Sequence, residues 1–260
     1  MKIPIYQVDA FTDRLFGGNP AAVCPLDGWL AADLMQKIAA ENNLSETAFF
    51  VKEKNGFGLR WFTPLIEVDL CGHATMAAGH VIFHVLGYKD KEIKFSTQSG
   101  QLIVAREDDL LRLDFPANPA RPVETPPRLV EGLGKEPERV LKSKRDFLVT
   151  FPHEEDILAL TPNFDILKNL ECLCVIVTAK GESCDFVSRC FAPAAGINED
   201  PVTGSAHTTL VPYWACKLDK ATLHAVQLSN RRGELFCEYL GEWVQMKGRA
   251  VLYMKGEIDV

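Results

Sequence analysis

The sequence predicts an α+β protein made of two copies of one unit, each a curled, mainly antiparallel sheet wrapped around a single buried helix. Three observations predict it. Landmarks recur in the same order in the two halves, short β-prone runs are separated by Gly, Asp and Pro turns, and each half has one long apolar segment of helical length.

The repeat is read from four landmarks. R-W-F-T-P at Arg60 to Pro64 is echoed by R-C-F-A-P at Arg189 to Pro193, and a glutamate, Glu67 or Glu199, stands 5 residues before a glycine each time. Cys71-Gly72-His73-Ala74 and Thr203-Gly204-Ser205-Ala206 then open the apolar segments. Gly72 to Gly100 is 28 residues and Gly204 to Gly233 is 29, and from there to Leu111 and to Val244 the distance is 11 in both halves. The repeat sets lobes at 1–115 and 116–260, with the last strand, about 249–260, returning to the first lobe.

In chain order, Ala31 to Asn42 predicts a helix with Leu34, Met35 and Ile38 inward and no obvious twin in the second half. The run Thr47 to Val51 predicts a strand, with Glu46 on the face of Ala48 and Phe50. Leu59 to Phe62, Ile93 to Ser96, Leu102 to Ala105 and Leu110 to Asp114 predict further strands. Ala74 to Leu86 is apolar nearly all round and predicts a fully buried helix, with Gly87 as its left-handed cap. Ala206 to Leu218 is its counterpart, with Pro212 removing one helical hydrogen bond and introducing a kink. Cys172 and Cys174 lie in the strand-like run L-E-C-L-C-V-I-V without a CxxC knuckle, so with Cys184 and Cys190 they read as core thiols.

Composition excludes several classes. With 260 residues, 47% hydrophobic content and a net charge of −7, the chain is globular and acidic, and its basic residues are scattered, which speaks against nucleic acid. No apolar segment follows the first lysine as in a secretory signal, and Ala74 to Leu86 is too short to span a bilayer. The 8 irregularly spaced cysteines read as reduced thiols, which fits the cytoplasm.

Gly72 and Gly204 stand where a loop enters a buried helix. Such an end offers unpaired N–H groups and partial positive charge, an anion site that Ser205 can supplement with a hydroxyl, although a plain turn with Ser205 as N-cap fits the same residues. The groups able to move protons nearby are Glu46, Cys71, His73, Asp200 and His207. For His73 the helix dipole favours the neutral imidazole, Asp200 also fits an acidic helix start, and His207 is expected to face the helix interior or a neighbouring strand.

The motifs G-N-P-A-A-V (Gly18 to Val23), N-L-S-E-T-A-F (Asn43 to Phe49), L-R-W-F-T-P (Leu59 to Pro64), L-C-G-H-A-T (Leu70 to Thr75) and E-D-P-V-T-G-S-A-H (Glu199 to His207) together resemble the phenazine-biosynthesis-like, or PhzF-like, isomerases over nearly the whole chain. The resemblance implies the diaminopimelate-epimerase-like fold, with two pseudo-twofold-related lobes, each a β-barrel-like sheet around a central helix, and an active site between them. It implies a homodimer and catalysis without metal or organic cofactor. Residue by residue, it makes Glu46 the general acid/base, places His73 and Asp200 in the same machinery, and assigns a carboxylate of a small substrate to Cys71, Gly72, Gly204 and Ser205. One carboxylate suffices for a 1,3-proton shift, taking a proton at one carbon and returning it at another. Racemases of the same fold use two facing cysteines. Cys71 holds one of those places, but Thr203 holds the other, and a hydroxyl is far too weak an acid to replace a thiol. A non-catalytic protein that binds a small anion or a partner is the remaining alternative.

Overall fold

The turn residues do cut the chain into short strands, and the computed structural model, which describes residues 1–260, divides it into two compact units: Met1–Asp114 with Lys247–Val260, and Phe115–Met246. Both mix helices with a mostly antiparallel sheet, as the sequence predicts for an α+β protein. No helix is long and apolar enough to cross a membrane.

The first unit begins with β1 (Lys2–Ala10), β2 (Asn19–Leu26), α1 (Ala32–Asn42), β3 (Glu46–Glu53), β4 (Gly56–Phe62) and β5 (Glu67–Val68). It continues with α2 (Gly72–His80), β6 (Glu92–Thr97), β7 (Gly100–Glu107) and β8 (Leu110–Pro116). β1 lies antiparallel to β2 and to the C-terminal strand Ala250–Asp259. β2 runs parallel to β3 across the α1 connection, β3 is antiparallel to β4, and β6, β7 and β8 form a meander joined to β4 by a parallel pairing.

Alternation along β3 sorts its side chains. Phe49 packs with Met35 and Ile38 of α1, and Thr47 accepts from Asn42 Nδ2 at 3.0 Å, so Glu46, Ala48 and Phe50 point to the other face. That face meets α2, whose residues His73 to Gly79 are all buried among β1, β2, β3, β7 and the C-terminal strand. Gly79 permits the close approach, because a Cβ there would lie 2.9 Å from Val104.

The expected single helix to Leu86 is interrupted. After His80 the chain widens into a π-turn over Val81–Val85, with Leu86 N donating to Val81 O, before Gly87 closes it in the left-handed region.

The second unit contains β9 (Arg121–Pro122), α3 (Pro127–Leu133), β10 (Arg139–Lys142), β11 (Phe147–Thr150), α4 (Glu154–Leu158), α5 (Phe164–Leu167), β12 (Val175–Lys180) and β13 (Phe186–Ala192). β14 (Ile197–Asp200), α6 (Gly204–Leu218), β15 (Thr222–Gln227), β16 (Gly233–Tyr239) and β17 (Trp243–Gly248) follow. Here three short helices pack Leu129, Leu133, Ile157 and Leu167 against Val149, Val177 and Phe191, doing what α1 does alone in the first unit. Cys172 and Cys174 precede β12 rather than lying in it, because the chain is still turning there; Asp146 accepts the Cys174 N–H at 3.2 Å.

α6 is buried from Ala206 to Pro212, and Phe186 stacks on its Trp214. Pro212 deprives the Thr208 carbonyl of its helical donor, and the backbone N–H of Asn118 supplies a replacement at 3.0 Å. His207 Nδ1 lies 2.9 Å from the Thr203 carbonyl and must donate to it, so Nε2 is an acceptor with no partner. Burial pushes the imidazole pKa down to about 4.

The recurring R-x-F motif has one physical cause in both units. Arg60 forms a forked pair with Glu67 at 2.7 Å for both contacts and lies over the ring of Phe62, two residues on. Arg189 does the same with Glu199, at 2.7 and 2.9 Å, and with Phe191, and it also donates to the carbonyls of Ile157 and Leu160. Each fork fixes the loop that delivers the glycine-headed helix.

Two expectations follow. Arg189→Met should lower stability by about 3 kcal/mol, by leaving Glu199 and two carbonyls unpaired, seen as a lower urea midpoint with unchanged slope. An unchanged midpoint would show the fork to be ornamental. His207 has a folded pKa below its unfolded value of about 6.5, so its contribution is present above that pH and is lost as pH falls toward about 4. His207→Gln should flatten that part of the acid-unfolding profile relative to wild type.

Candidate active site

In the first unit the β3 face and the start of α2 bring three sequence-singled residues together. Glu46 opens β3, with its side chain 13% exposed, and Cys71 and His73 flank Gly72 at the head of α2. Cys71, the N-cap residue, is extended at φ −146°, and no side chain caps the first turn. His73 Nε2 lies 3.1 Å from Glu46 Oε2, while His73 Nδ1 lies 3.5 Å from Cys71 Sγ and 3.3 Å from Asn19 Nδ2. The Glu46 contact is close enough for an ion pair but off line for a hydrogen bond. Neither Oε2 nor Nε2 has any other hydrogen-bond partner.

The electrostatics reverse one expectation. Burial opposes a charge on His73, but the Cys71 sulfur and the Glu46 carboxylate together outweigh it and hold the imidazole pKa well above its usual value. The dipole argument for a neutral ring fails because a full charge at 3.1 Å exceeds the partial charge of a helix end. Burial, reinforced by the Glu46 charge, pushes the Cys71 thiol up to about 11. It is therefore a thiol, not a thiolate, near neutral pH.

In the second unit Asp200 ends β14 and Thr203 caps α6. The Thr203 hydroxyl donates to Asp200 Oδ2 at 2.5 Å, and Gln227 braces the loop by accepting from Thr203 N at 2.9 Å and donating to Asp200 O at 2.8 Å. Ser205 is not the N-cap; it lies inside the helix, where its carbonyl accepts from Thr208. No side chain caps this helix either. His207 lies in the interior behind the loop, as its position in the helix suggests.

Asn19 and Gln227, both fully buried, are the polar neighbours that sequence reasoning left without a role. The available signal was a polar residue at the end of an apolar β-prone run, Asn19 before P-A-A-V and Gln227 after H-A-V.

Donor atoms of Glu46, Cys71 and His73 all lie within 4.8 Å of one another. However, sulfur and carboxylate approach different nitrogens of the ring, so one ion could not take both contacts without turning it. The arrangement suits a proton-bearing ring between two acids better than a chelate.

Comparison with known proteins bears on the family and the fold. The profile of the family described as phenazine biosynthesis-like protein matches residues 8–256. An uncharacterized isomerase of Pseudomonas aeruginosa is 53% identical over 260 residues, covering 100% of both chains. A crystal structure of a PhzF-family phenazine biosynthesis protein from Enterococcus faecalis superposes with a TM-score of 0.98 at 46% identity, covering 100% of both chains. A hydroxyproline epimerase from Agrobacterium vitis shares the fold, with a TM-score of 0.62 at 8% identity over 99% of this chain and 92% of that one. The chain thus belongs to the phenazine biosynthesis-like family, with the fold it shares with epimerases, and it is an isomerase.

Proposed function

We propose that this isomerase moves a proton, by a 1,3-hydrogen shift or a related isomerisation, on a small carboxylate-containing metabolite, with Glu46 as general acid/base and no metal or organic cofactor. The observation that carries the reading is the buried pair Glu46 Oε2 and His73 Nε2, 3.1 Å apart and short of an in-line hydrogen bond. A carboxylate and an imidazole that pair without an in-line hydrogen bond keep directions free for a reacting ligand. His73, held protonated, opposes negative charge as it develops on the substrate.

The uncapped first turns support the binding half of the reading. The backbone around Gly72, with Cys71 beside it, and that of Gly204 and Ser205 offer N–H donors suited to a carboxylate. Asp200 is assigned to the same reaction, and its bond to Thr203 keeps its carboxylate oriented. The high thiol pKa argues against Cys71 as a base near neutral pH, and Thr203, already committed to Asp200, argues against a two-thiol racemisation. A homodimer and a cytoplasmic location accompany the proposal.

The test is exchange of carbon-bound hydrogen in deuterated water, followed by proton NMR on a metabolite extract. Glu46→Gln should reduce exchange by at least about 10²-fold, whereas Cys71→Ser should retain most of it. The reverse pattern would establish racemase-like chemistry at Cys71. Exchange should also decline as pH rises through the raised His73 pKa, because the cation is lost there; a rate that keeps climbing through that window would remove His73 from the mechanism.

A further inference from the structure

We propose that Asn19 is a positioning residue that selects the tautomer His73 takes when it gives up its extra proton, leaving Nδ1 bare and the remaining proton on Nε2, the nitrogen beside Glu46. The inference deepens the acid/base reading given above, but its observable is the imidazole itself.

Asn19 is fully buried at the first position of β2, and its Nδ2 stands 3.3 Å from His73 Nδ1. An amide nitrogen can only donate, so the ring nitrogen it meets must accept. The single proton of a neutral imidazole is then left on Nε2, the atom 3.1 Å from the Glu46 carboxylate. The tautomer is therefore the quantity to measure.

The backbone places the amide rigidly. Gly18 precedes it at φ +59°, and a Cβ at that position would lie 2.1 Å from the Ala10 carbonyl oxygen, so the turn into β2 holds one course. Asn19 also pairs with Ala10 in the β1 register.

The charged surroundings pull the other way. The Glu46 charge on β3 and the Cys71 sulfur before α2, as an acceptor, raise the ring's proton affinity. Asp9 on β1 accepts the N–H of Phe16, Arg106 on β7 lies over Phe83, and Glu257 on the C-terminal strand pairs with Lys2. A second proton can enter only at Nδ1, where the Asn19 donor opposes it and Cys71 Sγ, at 3.5 Å, is the remaining acceptor. Asn19 therefore decides which proton the raised imidazole releases, so that His73 can pass between cation and neutral ring without changing which nitrogen addresses Glu46.

The experiment is ¹⁵N NMR of the full chain labelled at its 6 histidines, with the His73 signals assigned by their loss in His73→Gln. In wild type above the His73 pKa, Nε2 should be protonated and Nδ1 bare. Asn19→Asp replaces the donor by an acceptor and should protonate Nδ1 and move the titration up by at least one unit, a tenfold gain in proton affinity. Asn19→Leu should leave a mixture of neutral tautomers. A wild-type ring with its proton on Nδ1 would overturn the proposal without any variant having to fold. So would a tautomer and titration unmoved in both variants. Loss of exchange in Glu46→Gln alongside an unmoved His73 would sink the role of Asn19 while leaving the acid/base reading intact; the converse result would do the opposite.

Discussion

The forked arginine–glutamate pair, repeated once in each unit, is the interaction on which the rest of the structure depends. A buried helix whose first turn lacks a side-chain cap has no local means of fixing where it starts. Arg60 with Glu67, and Arg189 with Glu199, supply that from outside by fastening the short strand that leads into the helix to the longer strand before it. The planar guanidinium serves twice, meeting the carboxylate edge-on and the phenylalanine ring face-on. Lysine could offer the charge but neither geometry.

With the helix start held from a distance, the N-cap residues Cys71 and Thr203 need make no side-chain cap bond of their own. The same economy shows in the side chains: Glu46 and His73 are buried close together yet not bonded, whereas Thr203, Asp200 and Gln227 are fully engaged with one another. The first cluster is left reactive and the second is made stiff.

Much of this was legible in the sequence because it is written in spacing. Periodicity placed Glu46 on the face of Ala48 and Phe50, which the structure turns toward α2, and the two glycines marked the helix starts. The repeat announced the R-x-F motif without revealing its cause, since stacking and ion pairing depend on side-chain directions that one-dimensional patterns do not carry. The charge of His73 was misread because the helix end was visible in the sequence, whereas a carboxylate 27 residues away was not known to be in contact. The π-turn after His80 was hidden for a similar reason: Val81 to Val85 has ordinary helical composition, and tertiary packing decides its winding. Asn19 and Gln227 act through neighbours 54 and 24 residues distant, beyond the reach of local pattern.

The pairing of β1 with the C-terminal strand carries a consequence for how the chain folds. Ala10 lies opposite Ala250, so 240 residues must be looped out before that ladder can zip, at an entropic cost on the order of 5 kcal/mol. The second unit, by contrast, is one continuous stretch. During synthesis it can emerge and condense while the first unit still waits for its final strand. The walls around Glu46 and His73 therefore close later than those of the second unit, and contact order rather than composition sets that delay.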